Sequence, residues 1–246
     1  MTQQRKLIVH EDAKSPIAEA YRTLRTNIQF ARVDSDLRTI MFTSAGPGEG
    51  KSTTTANTAV AIAQTGKRVI IVDCDLRKPV QHKIFGKRNR GVTNILVEEL
   101  TVKDLVQDTD IDNLKILTSG PIPPNPSELL GSYKMQEVIA ALQEVADIVI
   151  IDAPPTVAVT DACVLASKVD GIVLVLDSKA IRPEMAQKAK ENLLKANGCI
   201  LGVILNRVEI EEEHAYYYYY YGDQKKIEKI RFGYILMRRK FGSTCS

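Results

Sequence analysis

Short apolar runs alternate with amphipathic stretches along most of the chain. Thr39–Ser44, Arg68–Asp73, Leu114–Thr118, Asp147–Asp152, Gly171–Asp177 and Cys199–Asn206 are mostly continuous in apolar character rather than alternating. Continuous runs suit strands covered on both faces by helices, the parallel-sheet arrangement. Between them Lys51–Gln64, Lys134–Val145, Thr160–Ser167 and Arg182–Asn197 read as helices, the first and last closed by Gly66 and Gly198. Ser15-Pro16 reads as an N-cap with proline at the first helical position, opening a helix through about Ala31. Glu19, Arg22 and Arg25 recur at every third residue of that helix and form one charged stripe. The proline-rich segment Gly120–Pro126 predicts a rigid loop, with Ser127 as the cap of a short helix behind it. The fold class expected is α/β, a doubly wound, mostly parallel sheet.

After Asn206 the texture changes. Glu209, Glu211, Glu212 and Glu213 precede the unbroken run Tyr216, Tyr217, Tyr218, Tyr219, Tyr220 and Tyr221, and a basic segment follows. Identical bulky side chains in a row match neither a helical nor a strand period, so they cannot all face a core. The chain is therefore expected to divide into a folded domain over residues 1–208 and a mobile tail over 209–246.

With 246 residues, 44% of them apolar, the chain can bury a full core without disulfide or metal staples. No apolar run approaches the roughly 18 residues of a spanning helix, and Met1–Asp12 lacks the apolar stretch of a secretory signal, so a cytoplasmic location is expected. Cys74, Cys163, Cys199 and Cys245 are far apart, with neither a CxxC pair nor a histidine at ligand spacing, which argues against a disulfide framework or a zinc site. Seven Lys or Arg against Asp223 and Glu228 give residues 223–246 a charge of +5, leaving −2 for residues 1–222 of the total +3. A near-neutral body with a basic end argues against a nucleic-acid-binding domain.

Three segments carry chemistry. Ala45-Gly46-Pro47-Gly48-Glu49-Gly50-Lys51-Ser52-Thr53 follows one strand and opens a helix. Its glycines let backbone N–H groups wrap phosphate oxygens, Lys51 reaches the outer phosphates, and the Ser52 hydroxyl suits Mg²⁺. The usual pattern has glycine where this chain has Ala45. The second segment, Val69–Arg77, ends a strand with Asp73 and Asp75, which alternation places on one side, near the emerging phosphate loop. Two carboxylates there can hold Mg²⁺ and accept a proton. The third, Ile148–Pro155, puts Asp152 at another buried strand end, the Walker B position for Mg²⁺.

Taken together, PGEGKS at Pro47–Ser52, Asp73-x-Asp75-x-Arg77, IIDAPP at Ile150–Pro155, the Pro123–Leu130 loop and the tyrosine-rich end resemble the bacterial tyrosine kinases of capsule and exopolysaccharide synthesis, over about residues 10–222. The resemblance implies a P-loop fold of the deviant-Walker (MinD/ParA-like) group and an ATP- and Mg²⁺-dependent tyrosine kinase. Self-phosphorylation in trans would fall on the Tyr216–Tyr221 cluster. It also implies self-association into a ring through Glu19, Arg22 and Arg25, a transmembrane activator holding the protein at the inner membrane face, and protein tyrosine substrates. By the same resemblance Lys51 grips phosphate, Asp75 and Asp152 hold the metal with Ser52, Asp73 meets the tyrosine hydroxyl, and Asn206 contacts adenine. Gly46, Gly48, Glu49, Gly50 and Thr53 complete the nucleotide site. A phenol near 10 and an aspartate near 3.9 differ by about six pKa units, or about 8 kcal/mol, so the proton must leave late; exchange of the roles of Asp73 and Asp75 stays open. Each added phosphate brings about −1.5 to −2 charges, so a fully modified cluster would repel its neighbours and loosen the ring.

Two alternatives share this fold: a partition or septum-positioning ATPase, and a nucleotide-gated regulatory subunit without phosphoryl transfer. The former carries a signature lysine five residues before the invariant one, where this chain has Gly46.

Overall fold

A computed structural model describes residues 7–31 and 37–208. The expected apolar runs all form strands: β1 (Thr39–Ser44), β2 (Val69–Asp73), β4 (Leu114–Leu117), β5 (Ile148–Asp152), β6 (Gly171–Asp177) and β7 (Ile200–Asn206). With β3 (Gln107–Asp108) they make one sheet in the order β3-β4-β2-β5-β1-β6-β7. All its pairings are parallel except β3 with β4. The helices are α1 (Ile8–Glu11), α2 (Pro16–Gln29), α3 (Lys51–Ala63), α4 (Gln81–Ile84), α5 (Val92–Val97), α6 (Val102–Leu105), α7 (Pro126–Gly131), α8 (Tyr133–Val145), α9 (Asp161–Ala166) and α10 (Pro183–Lys195).

The strands read as unbroken hydrophobic runs because successive residues are divided between two cores. Ile40, Phe42, Ile71, Ile150 and Val173 pack with Tyr21, Leu24 and Ile28 of α2 and the apolar face of α3. Their neighbours Met41, Val72, Ile151 and Leu174 pack on the other face with Met135 and Leu142 of α8, Leu165 of α9 and Leu193 of α10. Burying both faces of a strand removes the alternation that a one-sided sheet would show. Parallel pairing also brings the carboxyl ends of the strands to one edge, and register sets Asp73 beside Asp152 and Asp177 beside Asn206. That edge is where open α/β sheets take ligands.

The Ser15 cap is formed, its hydroxyl accepting the Ala18 N–H at 3.2 Å with Pro16 behind it. Ser127 differs from expectation. Helix α7 begins at Pro126 with Asn125 at its cap and no side-chain cap bond, and the Ser127 hydroxyl turns to the Asp161 carboxylate and Thr160. The edge strand β3 and the four-residue helices α1, α4 and α6 were not anticipated, since elements this short show no period. The charged stripe of α2 is engaged within the chain: Arg22 pairs with Glu19 at 2.7 Å, and Arg25 donates to the Ala61 carbonyl of α3 at 3.1 Å. The expected tail and its tyrosines, Tyr216–Tyr221, lie outside the described residues. Among the described residues no helix is long and apolar enough to cross a membrane.

Candidate active site

The loop between β1 and α3 is shaped by its own side chains. Glu49 turns its carboxylate back, and one oxygen accepts the N–H groups of Ala45 (2.8 Å) and Gly46 (3.0 Å). Burial, the larger effect, holds the Glu49 carboxyl above its usual range, while these N–H groups pull it back down. The side chain thus closes the loop rather than facing a phosphate, which would repel it. Gly50 has φ +91°, and a Cβ there would strike the side chain of Asn206. Asn206 in turn donates to the Glu49 carbonyl at 2.9 Å, so the end of β7 braces the loop. Thr53 is half-buried in the first turn of α3.

Lys51 is 8% exposed, and its ammonium lies 2.9 Å from Asp75, 3.1 Å from Asp152 and 3.2 Å from the Ser52 hydroxyl. Burial alone would lower its pKa; the charges of Asp152 and Asp75 overcome this and push it up to about 12. The three groups expected to hold Mg²⁺ therefore already converge on one positive charge. Among the described residues there is no cluster of three or more His, Cys, Asp or Glu able to hold a metal alone. Two carboxylates and a hydroxyl fit Mg²⁺, which keeps waters and takes substrate phosphates as its other ligands.

Asp73 is set apart from this cluster. β2 ends at Asp73, so strand alternation does not carry on to Asp75. The Asp73 carboxylate instead accepts backbone N–H groups of Asp75 (3.2 Å), Val80 (3.1 Å) and Gln81 (2.9 Å). Burial first, and the Asp152 carboxylate second, push its pKa upward. Arg77 forks onto the buried Asp161 carboxylate at 2.9 and 3.0 Å. Sequence reasoning missed Gln81, Asp161 and Asp177, the last paired with Arg207. None belongs to a phosphate-loop pattern, and only the tertiary fold brings them in.

A glycine-rich loop opening a helix, a buried lysine between two carboxylates and a parallel sheet delivering all of them to one edge define a P-loop nucleotide-binding protein. A family profile described as an AAA domain matches residues 37–194. The chain is 48% identical over 204 residues to the tyrosine-protein kinase YwqD of Bacillus subtilis, covering 82% of this chain and 86% of the relative. The crystal structure of the chimerical protein CapA2B2 superposes with TM-score 0.79 at 45% identity, over 82% of this chain and 89% of the other. The septum site-determining protein MinD of Pyrococcus horikoshii, complexed with Mg-ADP, is more distant: TM-score 0.61 and 29% identity, over 72% and 75%. The chain belongs to the bacterial tyrosine kinase family.

Proposed function

We propose that the chain transfers the γ-phosphoryl group of ATP to protein tyrosines, its own Tyr216–Tyr221 cluster included, and thereby regulates capsular or exopolysaccharide synthesis and export. The observation that carries this reading is the position of Lys51, buried between Asp75 and Asp152 at the mouth of the phosphate loop. In a loose phosphoryl-transfer transition state the protein mainly positions groups and neutralises charge. Lys51 turns from the carboxylates to the β- and γ-phosphates, which backbone N–H groups from Gly48 to Thr53 also grip. Ser52, Asp75 and Asp152 hold Mg²⁺, which when bound neutralises phosphate charge. Asp73 orients the tyrosine hydroxyl; being fully buried, it meets that hydroxyl only after the loop carrying Asp75 to Val80 moves. Its raised pKa narrows the gap to a phenol and makes proton transfer to it less uphill. By the resemblance Asn206, which braces the loop through the Glu49 carbonyl, contacts adenine.

The resemblance supports three further elements of this reading. Glu19, Arg22 and Arg25 contribute to a ring of copies, a membrane activator supplies the anchor and stimulates turnover, and the protein sits at the inner membrane face through it. Gly46 stands where the partition-type ATPase carries its signature lysine, which weighs against that alternative.

Replacing Tyr216–Tyr221 by phenylalanine tests the acceptor. Self-phosphorylation should fall to background with ATP binding unchanged. Phosphate mapped to Tyr133, which is 75% exposed, would contradict it.

A further inference from the structure

Gln81 lies outside the three phosphate-site segments and touches all of them. It is fully buried at the start of α4. Its backbone N–H donates to Asp73 Oδ2 at 2.9 Å. Its side-chain Nε2 donates to Asp152 Oδ2 at 2.8 Å and to the Ser52 carbonyl at 3.0 Å. We propose that Gln81 is a positioning residue for phosphoryl transfer, fixing the Asp152 carboxylate while Lys51 changes partner. The inference rests on the kinase reading above.

The two oxygens of Asp152 have different partners. Oδ1 faces the Lys51 ammonium and Oδ2 the Gln81 amide. When Lys51 turns to a phosphate, Oδ1 loses its partner, but Oδ2 does not. A carboxylate still held through one oxygen presents the other in a defined direction, whereas an untethered one must be ordered when the metal arrives. The orientation of the amide is forced, because the reverse would set its oxygen against two acceptors, Asp152 Oδ2 and the Ser52 carbonyl.

Packing does not account for the glutamine. Its Oε1 is buried and has no hydrogen-bond partner, a loss that an apolar side chain of the same shape would avoid. The two N–H bonds, both to phosphate-site residues, are what the residue provides. The third contact, from its backbone to Asp73, couples the loop after β2 to the same point.

The test measures binding of a fluorescent ADP analogue in EDTA and in Mg²⁺, for the full-length wild type, Gln81→Met, Asp152→Asn and the double variant. Wild type should bind more tightly with Mg²⁺; absence of that effect would count against the metal role itself, independently of Gln81. Gln81→Met should melt no lower than wild type and keep its EDTA affinity within about twofold, while losing about tenfold of the Mg²⁺ enhancement, as is usual when the partner of a metal ligand is removed. In the Asp152→Asn background it should change nothing further. Full Mg²⁺ enhancement in Gln81→Met, or an equal loss in both backgrounds, would overturn the proposal. If Gln81→Met melts early, Gln81→Asn, whose amide is too short to reach, should show the same loss. Failure of both variants to fold would mean that the residue serves the core, and would also overturn it.

Discussion

Asp73 and Asp75 stand two positions apart and have opposite partners: Asp75 reaches the Lys51 ammonium at 2.9 Å, whereas the Asp73 carboxylate is taken by backbone N–H groups of its own loop. Asp75 thus belongs to the charge cluster around Lys51, and Asp73 is held by the loop that follows β2. The difference arises because β2 stops at Asp73 and the chain turns.

Lys51→Met should abolish tyrosine phosphorylation, and it should also destabilise the nucleotide-free protein. Although it stands where the phosphate loop opens α3, Lys51 is buried. Its removal leaves Asp75 and Asp152 facing each other without a counter-charge, a loss of about 3 kcal/mol by analogy with other broken buried pairs. Urea unfolding of both proteins checks it; equal stability would mean that the ammonium is not held between those carboxylates.

Glu49→Ala should raise the KM for ATP more than it lowers kcat. The loop loses the acceptor of two N–H groups, worth about 1–3 kcal/mol of ordering and so roughly 5–150-fold in ATP affinity. Glu49→Gln, which retains one carbonyl oxygen, should recover part of the loss. A KM unchanged in Glu49→Ala would remove the loop-closing role.

Arg77→Ala should destabilise the fold by about 2 kcal/mol, because the fully buried Asp161 loses its forked partner; the value is reduced from that of a fully buried pair since Arg77 is half exposed. Arg77→Lys should not restore it, a point charge being unable to bridge both oxygens. Denaturant midpoints decide the matter, and full stability in the lysine variant would contradict the fork.

Tyr21 on α2 sets an alkaline limit. Burial pushes its phenol up to about 12, with a bond from Thr54 acting the other way. Its folded pKa lies above the unfolded value near 10, so the contribution is fully present below pH 10 and is lost as pH rises through about 12; two units correspond to about 3 kcal/mol. Lys51 titrates in the same window with the same sign. Tyr21→Phe should therefore flatten, without abolishing, the fall in unfolding free energy between pH 10 and 12. An unchanged slope would place the phenol in water.

The strands, the long helices and the three phosphate-site segments were legible because each leaves a local mark: a continuous apolar run, a capped amphipathic period, or a glycine loop between the two. Asp152 was legible for the same reason, as a charge ending a buried strand. What Glu49 does was not, since its partners are backbone N–H groups of the loop it belongs to, and an acidic residue in a phosphate loop reads as a nucleotide neighbour. Gln81, Arg77 and Asp161 were illegible as a set: Arg77 meets Asp161 across 84 residues of sequence, and Gln81 meets Asp152 across 71. Their contacts exist only once β2 and β5 are neighbours in the sheet.

Phosphoryl transfer to tyrosine can be measured by incubating the full chain with Mg²⁺ and γ-labelled ATP, with the cytoplasmic segment of a membrane activator added, followed by phosphoamino-acid analysis and site mapping. Label should appear on tyrosine, concentrated in Tyr216–Tyr221 and absent from Lys51→Met. Release of free phosphate with no label on tyrosine would contradict it.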